Sequence, residues 1–146
     1  MAAPHPDLAH LEPFVGAWNT SGEIFGGPSE PSIRLHGTDR YSWLAGSHFL
    51  VHQANVHLGA QASETLELIG YDPDARAFSM HYFDSEGQSG RMLARVSGKR
   101  WEFLGETLKF TGGFDAEDRV FSGRWEQRTG NGWAPLMDIR LERTQG

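Results

Sequence analysis

Apolar and polar residues alternate with a period of two along most of this chain, from Trp18 toward the C-terminus. Turn signals interrupt the alternation about every ten residues, without a second helical stretch. A period of two places successive side chains on opposite faces of a β-strand, so the pattern predicts strands that follow one another directly. The predicted strands cover residues 18–25, 31–44, 47–57, 64–71, 77–84, 89–96, 100–104, 107–113, 118–127 and 133–143.

The links between these strands are short and carry residues that suit tight turns. Asp72-Pro73-Asp74 fits a type I turn, and Gly130-Asn131-Gly132 supplies residues that tolerate a positive φ. Short links indicate antiparallel hairpins, and a row of hairpins would leave two unpaired edges unless it closes on itself. We therefore predict an all-β fold, a closed antiparallel up-and-down β-barrel of about ten strands, with a two-sheet sandwich as the alternative.

Residues 6–15 form the one predicted helix. Pro6 suits a first helical position, and Leu8 and Leu11 share a face. We expect Pro13 and Gly16 to end this helix within about two turns.

Composition agrees with a β protein and limits the possible chemistry. Aromatic residues make up 12% of the chain, and 18 glycines are available for turns. The chain has no cysteine, which excludes disulfides, thiolate nucleophiles and cysteine-bound metals and fits a reducing compartment. We find no linker and no repeat, so residues 1–146 are predicted to be one domain.

Charge and the N-terminal sequence bear on partners and location. The net charge is −6, and the basic residues are scattered among acidic ones, so we expect neither nucleic acid nor a membrane surface as a partner. The first residues lack the basic and apolar regions of a signal peptide, which favours a cytoplasmic location. The sequence leaves open whether the chain is a monomer or a homodimer.

Several short segments resemble one group of barrels. Gly16-Ala17-Trp18, after the short helix, is similar to the Gly-x-Trp opening of calycins, the group that includes lipocalins and fatty-acid-binding proteins. The other segments resemble a calycin-like bacterial family of unknown function that is related to the nitrobindins. They are Leu-Ala-Gly-Ser-His-Phe-Leu at 44–50, Ile-Gly-Tyr-Asp-Pro at 69–73, Tyr-Phe-Asp-Ser-Glu-Gly at 82–87, Trp133, and Met-Asp-Ile-Arg at 137–140.

The resemblance implies a barrel with a pocket, not a reaction. It implies that Trp18 plugs the closed end beneath a basic residue of the last strands. Nitrobindin-like proteins carry a haem-binding histidine on the final strand, where this chain has no histidine and Asp138 stands at about that place. We therefore expect no haem, and the sequence predicts no other cofactor and no metal site.

A barrel of this size can enclose one small ligand, and alternation indicates which side chains point inward. The inward set is Trp18, Ile24, Leu66, Leu68, Met80, Tyr82, Trp101, Phe103, Phe121 and Trp125. For any one of them, core packing is the alternative to ligand contact. We predict a binding site formed by His48, Leu50, His52, Leu68, Met80, Tyr82, Trp101, Phe103, Trp125 and Arg140.

Histidine suggests a polar group in the cavity. His48 and His52 share a face of one predicted strand and, if that face is inward, they join Tyr82 and Asp84 as acid–base candidates. The alternation in this strand is ambiguous, so solvent-facing histidines are the alternative. Arg140 could hold a ligand carboxylate, as in fatty-acid-binding proteins, or pair on the surface with Asp138 or Glu142.

Four functions follow from these observations. The first is a binding protein for a small, mostly apolar or amphipathic molecule. The second is an enzyme that uses His48, His52, Tyr82 and Asp84 for acid–base isomerisation or cyclisation of an apolar substrate. The others are a filled structural barrel and a haem binder. The sequence carries none of the common nucleophile, phosphate-binding or zinc-protease motifs.

Overall fold

The strands predicted from the alternation close into a ring. The computed structural model describes residues 2–144, and within this range ten antiparallel strands pair in chain order. The last strand also pairs with the first, which confirms the predicted closed up-and-down barrel and excludes the sandwich. The elements are a 3₁₀ helix (Pro6–Phe14) and strands β1 (Gly16–Ile24), β2 (Ile33–Trp43), β3 (Leu50–Leu58), β4 (Gln61–Asp72), β5 (Ala77–Asp84), β6 (Ser89–Ser97), β7 (Arg100–Leu104), β8 (Leu108–Phe114), β9 (Val120–Thr129) and β10 (Gly132–Arg143).

Strands β3 and β4 begin at different residues from those predicted, because the chain turns in ways that alternation does not reveal. Before β3, Gly46 and Ser47 adopt φ values of 94° and 60°, in the left-handed region, so the strand starts only at Leu50. Before β4, a tight turn at Gly59, with φ of 61°, lets strand pairing resume at Gln61.

The 3₁₀ helix covers one end of the barrel. A 3₁₀ helix has three residues per turn, so residues three apart lie on one face. Leu8, Leu11 and Phe14 have this spacing, and all three are buried against the barrel core. None of the helices within residues 2–144 is long and apolar enough to cross a membrane.

The helix ends at Phe14, one residue before the predicted end at residue 15, and Pro13 lies in its last turn. The last turn is closed by the Val15 N–H, which donates to the Glu12 carbonyl at 3.0 Å, so the missing N–H of Pro13 does not interrupt it.

Trp18 lies at the closed end, as the resemblance implied. Its side chain is fully buried, and its Nε1–H donates to the Phe14 carbonyl at 2.8 Å. The Arg143 guanidinium lies 4.1 Å from the centre of the Trp18 ring and also donates to the Val15 carbonyl at 2.7 Å. Arg143 also donates to the Pro13 carbonyl and therefore ties the last strand to both the tryptophan and the helix.

The inward face of β4 differs from the prediction. Glu67 and Ile69 are buried on the inner face, whereas Leu66 is 40% exposed and Leu68 lies on the same outer face. The prediction turned Leu66 and Leu68 inward because they are hydrophobic. Pairing with β3 fixes the register instead, and it turns Glu67 inward.

Candidate functional site

The half of the barrel away from the 3₁₀ helix encloses a cavity of about 430 Å³. This volume lies in the range of roughly 300–1,000 Å³ that is usual for small-molecule pockets. Most of the wall is apolar, and its members include Met80, Met92, Phe103, Phe110, Trp125 and Ile139.

A polar cluster lies on one side of this cavity, on strands β1 to β4. The strand register places Tyr41, His52 and Glu67 in one row across β2, β3 and β4. Asp39, two residues before Tyr41, lies on the same inner face of β2. All four side chains line the cavity. Alternation along three neighbouring strands thus brings together residues far apart in the sequence.

His52 bridges two carboxylates. Its Nε2 lies 2.6 Å from Asp39 Oδ1, and its Nδ1 lies 2.9 Å from Glu67 Oε1. The exposed fractions of the His52, Asp39 and Glu67 side chains are 14%, 9% and 7%, so water screens these contacts only weakly. Thr20 donates its hydroxyl hydrogen to the other Asp39 oxygen.

Tyr41 covers one face of the His52 ring. The two rings stack with centroids 4.0 Å apart and an angle of 7° between their planes. Within residues 2–144, the Tyr41 hydroxyl forms no hydrogen bond with another side chain or the backbone. In the same range, every side-chain polar atom that is completely shielded from solvent has a hydrogen-bond partner. The hydroxyl therefore reaches the cavity surface, where it can contact a bound molecule.

The surroundings keep His52 protonated at neutral pH. Burial alone lowers the pKa of His52, but the hydrogen bonds to Asp39 and Glu67, together with their negative charges, outweigh burial and raise the pKa from 6.5 to about 9. The pKa of Tyr41 is raised well above its usual value by burial and then by the charges of the same two carboxylates. At neutral pH the cluster therefore contains an imidazolium and a neutral phenol.

This arrangement suits recognition better than proton abstraction or metal binding. An imidazolium that donates both N–H groups to carboxylates has no free nitrogen to act as a base. Among residues 2–144, no group of three or more His, Asp or Glu side chains is placed to hold a metal ion. Both nitrogens of His52 are engaged, and Asp138 lies on the outer wall with Arg124 at 2.8 Å, so these residues do not fit a haem ligand.

Comparison with known proteins identifies the sequence family of this chain. Residues 3–129 match the family described as "Protein of unknown function (DUF1579)". The chain belongs to this family. No curated protein matches the chain significantly. The structure is similar to the crystal structure of Rv2717c from M. tuberculosis, with a TM-score of 0.69 and 15% identity over 97% of this chain and 99% of that one. At such low identity the likeness shows the fold alone.

Several of the residues predicted for the site line the cavity of this DUF1579 barrel. They are His52, Met80, Tyr82, Asp84, Phe103 and Trp125. Asp84 lies at the mouth, where its Oδ1 accepts the backbone N–H groups of Glu86 and Gln88 at 3.0 and 2.9 Å. It stabilises a turn and is not part of the His52 cluster.

Five other predicted site residues do not line the cavity. His48 lies in the turn before β3, because the strand starts only at Leu50. Leu50 and Trp101 are buried in the core toward the closed end. Leu68 lies on the outer face of β4, opposite the predicted side.

Arg140 is also outside the cavity. Its Nε donates to Glu142 Oε1 at 2.7 Å, and both side chains are more than half exposed. The surface pairing with Glu142 is therefore confirmed, and a cavity arginine that grips a carboxylate is excluded at this position. Leu141, the next residue, takes the inner face instead.

Sequence reasoning missed Thr20, Asp39, Tyr41 and Glu67. Alternation could have identified Asp39 and Tyr41, because they lie four and six residues after the apolar Leu35 and therefore on the same face of the strand. Glu67 was hidden because it stands between two leucines, and hydrophobicity alone favoured turning the leucines inward.

Proposed function

We propose that this protein binds one small, mostly apolar molecule in the barrel cavity. The observation that carries the proposal is the cavity of about 430 Å³, with an apolar wall and a few convergent polar groups on one side. Ligand pockets combine these two features because apolar contact supplies affinity and polar groups fix orientation. The calycin relationship belongs to the same proposal and is supported by the barrel topology and by the packing of Arg143 on Trp18.

The size of the apolar wall supports useful affinity. A ten-carbon chain that buries about 300 Å² gains about 7.5 kcal/mol at roughly 25 cal/mol per Å². This corresponds to a Kd of about 3 μM, before the ordering of the chain is subtracted. A neutral apolar probe of similar size is therefore a suitable first ligand.

The other functions considered have less support. A filled structural barrel would leave room for one or two waters, whereas this cavity is an order of magnitude larger. Acid–base catalysis loses His48, which lies outside the cavity, and lacks a free base in His52, whose nitrogens both face carboxylates. The cytoplasmic location remains a prediction from the first residues of the sequence.

The test is to place a larger side chain on the cavity wall, so that it occupies the space of the ligand. Val56 points into the cavity, and the preceding residue, Asn55, is exposed on the outer face of the same strand. We expect wild-type protein to bind N-phenyl-1-naphthylamine, a neutral fluorescent probe, saturably and at one site. Val56→Phe should weaken this binding at least tenfold, whereas Asn55→Phe should leave it within twofold.

Two results would contradict the proposal. One is the absence of saturable probe binding by the folded wild-type protein. The other is an equal loss of binding in Val56→Phe and Asn55→Phe, because only the first places its ring in the cavity. If the wild-type protein binds the probe as expected, native mass spectrometry of protein purified from its own host would identify the natural ligand by mass.

A further inference from the structure

The polar cluster carries more negative than positive charge. Asp39 and Glu67 contribute two negative charges and the His52 imidazolium contributes one positive charge, which leaves a net charge of −1. Asp84 adds a third carboxylate at the mouth. Among the described residues that line the cavity, none is lysine or arginine. The charged side chains on the cavity wall therefore carry a net negative charge.

A buried charge without a counter-charge is costly in a low-dielectric interior. The Asp39 and Glu67 side chains are only 9% and 7% exposed, so water compensates little of the net charge. A bound cation would balance the cluster, whereas a bound anion would meet like charge at short range. Burial raises the pKa of Tyr41, and the two carboxylates raise it further because they disfavour a phenolate beside them.

Two atoms of the cluster are available to a ligand's polar end. Glu67 accepts the His52 N–H through Oε1, so Oε2 can accept a hydrogen bond from another donor. The Tyr41 hydroxyl belongs to a side chain that is only 7% exposed, and it reaches the cavity surface without a partner within residues 2–144. An ammonium group can donate to both oxygens and brings the missing positive charge.

From these observations we infer that the cavity selects apolar molecules whose polar end is a cationic hydrogen-bond donor, a primary amine above all, and rejects those that end in a carboxylate. This inference rests on the proposed function, because it names the ligand class of the same cavity. It is opposite to the carboxylate recognition of fatty-acid-binding proteins, which the sequence suggested for Arg140.

The test compares three ligands that differ only in the polar group. Decylamine, decanol and decanoate carry a positive, neutral and negative head at pH 7 on the same apolar chain. Each is titrated against protein loaded with N-phenyl-1-naphthylamine, and displacement gives its affinity. We expect decylamine to bind at least tenfold more tightly than decanol, and decanoate at least tenfold more weakly.

A matched pair of variants assigns the selectivity to the cluster. Glu67→Gln removes one negative charge but keeps an oxygen that can accept the His52 N–H. Glu64→Gln makes the same change on the exposed face of the same strand. Glu67→Gln should reduce the preference for decylamine over decanol to within threefold, and Glu64→Gln should retain the preference.

Tyr41→Phe provides a second variant that keeps the ring stacked on His52. It should weaken decylamine binding several-fold, because it removes the hydroxyl that would accept a hydrogen bond from the ammonium group. Equal binding of the three ligands, or tightest binding of decanoate, would overturn the inference while leaving the proposed function intact, provided the probe binds. An unchanged amine preference in both Glu67→Gln and Tyr41→Phe would also overturn it. Failure of the probe and all three ligands to bind would overturn the inference together with the proposed function.

Discussion

The closed end and the cavity half of the barrel use aromatic residues differently. At the closed end, the Phe14 ring lies within 5.2 Å, centre to centre, of four other aromatic rings, and it is 3% exposed. In the cavity half, the Trp125 ring has its nearest aromatic neighbour, Phe110, at 5.2 Å, and one side of it faces the cavity. The first arrangement fills space, and the second leaves space beside a packed wall.

The difference indicates how one barrel combines stability with room for a ligand. The 3₁₀ helix, Trp18 and Arg143 fill and seal one end, where each buried ring stabilises the fold. The other half can then hold a cavity, which costs stability, and a cluster whose charges are costly to bury unless they stay paired. We expect substitutions at the closed end to change stability first, and substitutions in the cavity half to change binding first.

The largest effect should come from truncating Trp18. Trp18→Ala removes a fully buried ring and should lower the free energy of unfolding by about 3–5 kcal/mol. Trp125→Ala removes a half-buried ring that already faces a cavity, so it should cost less than half as much. Urea unfolding of both variants measures the two costs.

The same two variants should differ in their affinity for the fluorescent probe. Folded Trp18→Ala should bind N-phenyl-1-naphthylamine as wild type does, and Trp125→Ala should bind it at least fivefold more weakly. Equal stability losses together with equal binding losses would show that the two halves do not differ as described. If Trp18→Ala does not fold, Trp18→Phe makes the same comparison with a smaller loss.

A smaller effect should come from the protonation of His52. Its pKa is about 9 in the folded protein and 6.5 in the unfolded chain, so the stability that it contributes is fully present below about pH 6.5 and is lost as pH rises through 9. The difference corresponds to about 3 kcal/mol at roughly 1.4 kcal/mol per pH unit. Urea unfolding at pH 6 and pH 10 measures this loss.

Two histidine variants isolate that contribution. His52→Gln should remove most of the loss of stability between pH 6 and pH 10. His57→Gln, an exposed histidine on the same strand, should leave the loss as it is in wild type. If His52→Gln shows the same pH dependence as wild type, His52 is not the group that titrates near pH 9.

The smallest effect is expected for Arg140. Its pair with Glu142 is more than half exposed, and exposed ion pairs contribute about 0–1 kcal/mol. Arg140→Gln should change stability by less than about 0.5 kcal/mol. It should also leave the affinities for decanol and decanoate unchanged, as measured by probe displacement. A loss of decanoate binding without a loss of decanol binding would show that Arg140 contacts the ligand carboxylate after all.

Sequence patterns predicted the fold more completely than the site. The ten strands were predicted correctly because turn chemistry and a period of two are local properties. Barrel closure was predicted from the cost of two unpaired edges, and the place of Trp18 from the resemblance to calycin barrels. The site was predicted in part. His52 and Tyr82 do line the cavity, but His48 does not, because the left-handed residue Ser47 lies in the turn that delays the start of β3.

The sequence by itself determined that the chain forms consecutive antiparallel strands, and that the helix carries apolar residues three apart. These features depend on neighbours along the chain. Only the tertiary structure decided that Asp39, His52 and Glu67 meet, since their contact depends on the register between β2, β3 and β4. A shift of one residue in that register would turn Glu67 outward and Leu66 and Leu68 inward, because side chains alternate between the two faces of a strand. Pairing energy summed over whole strands fixes the register, and no single residue reveals it.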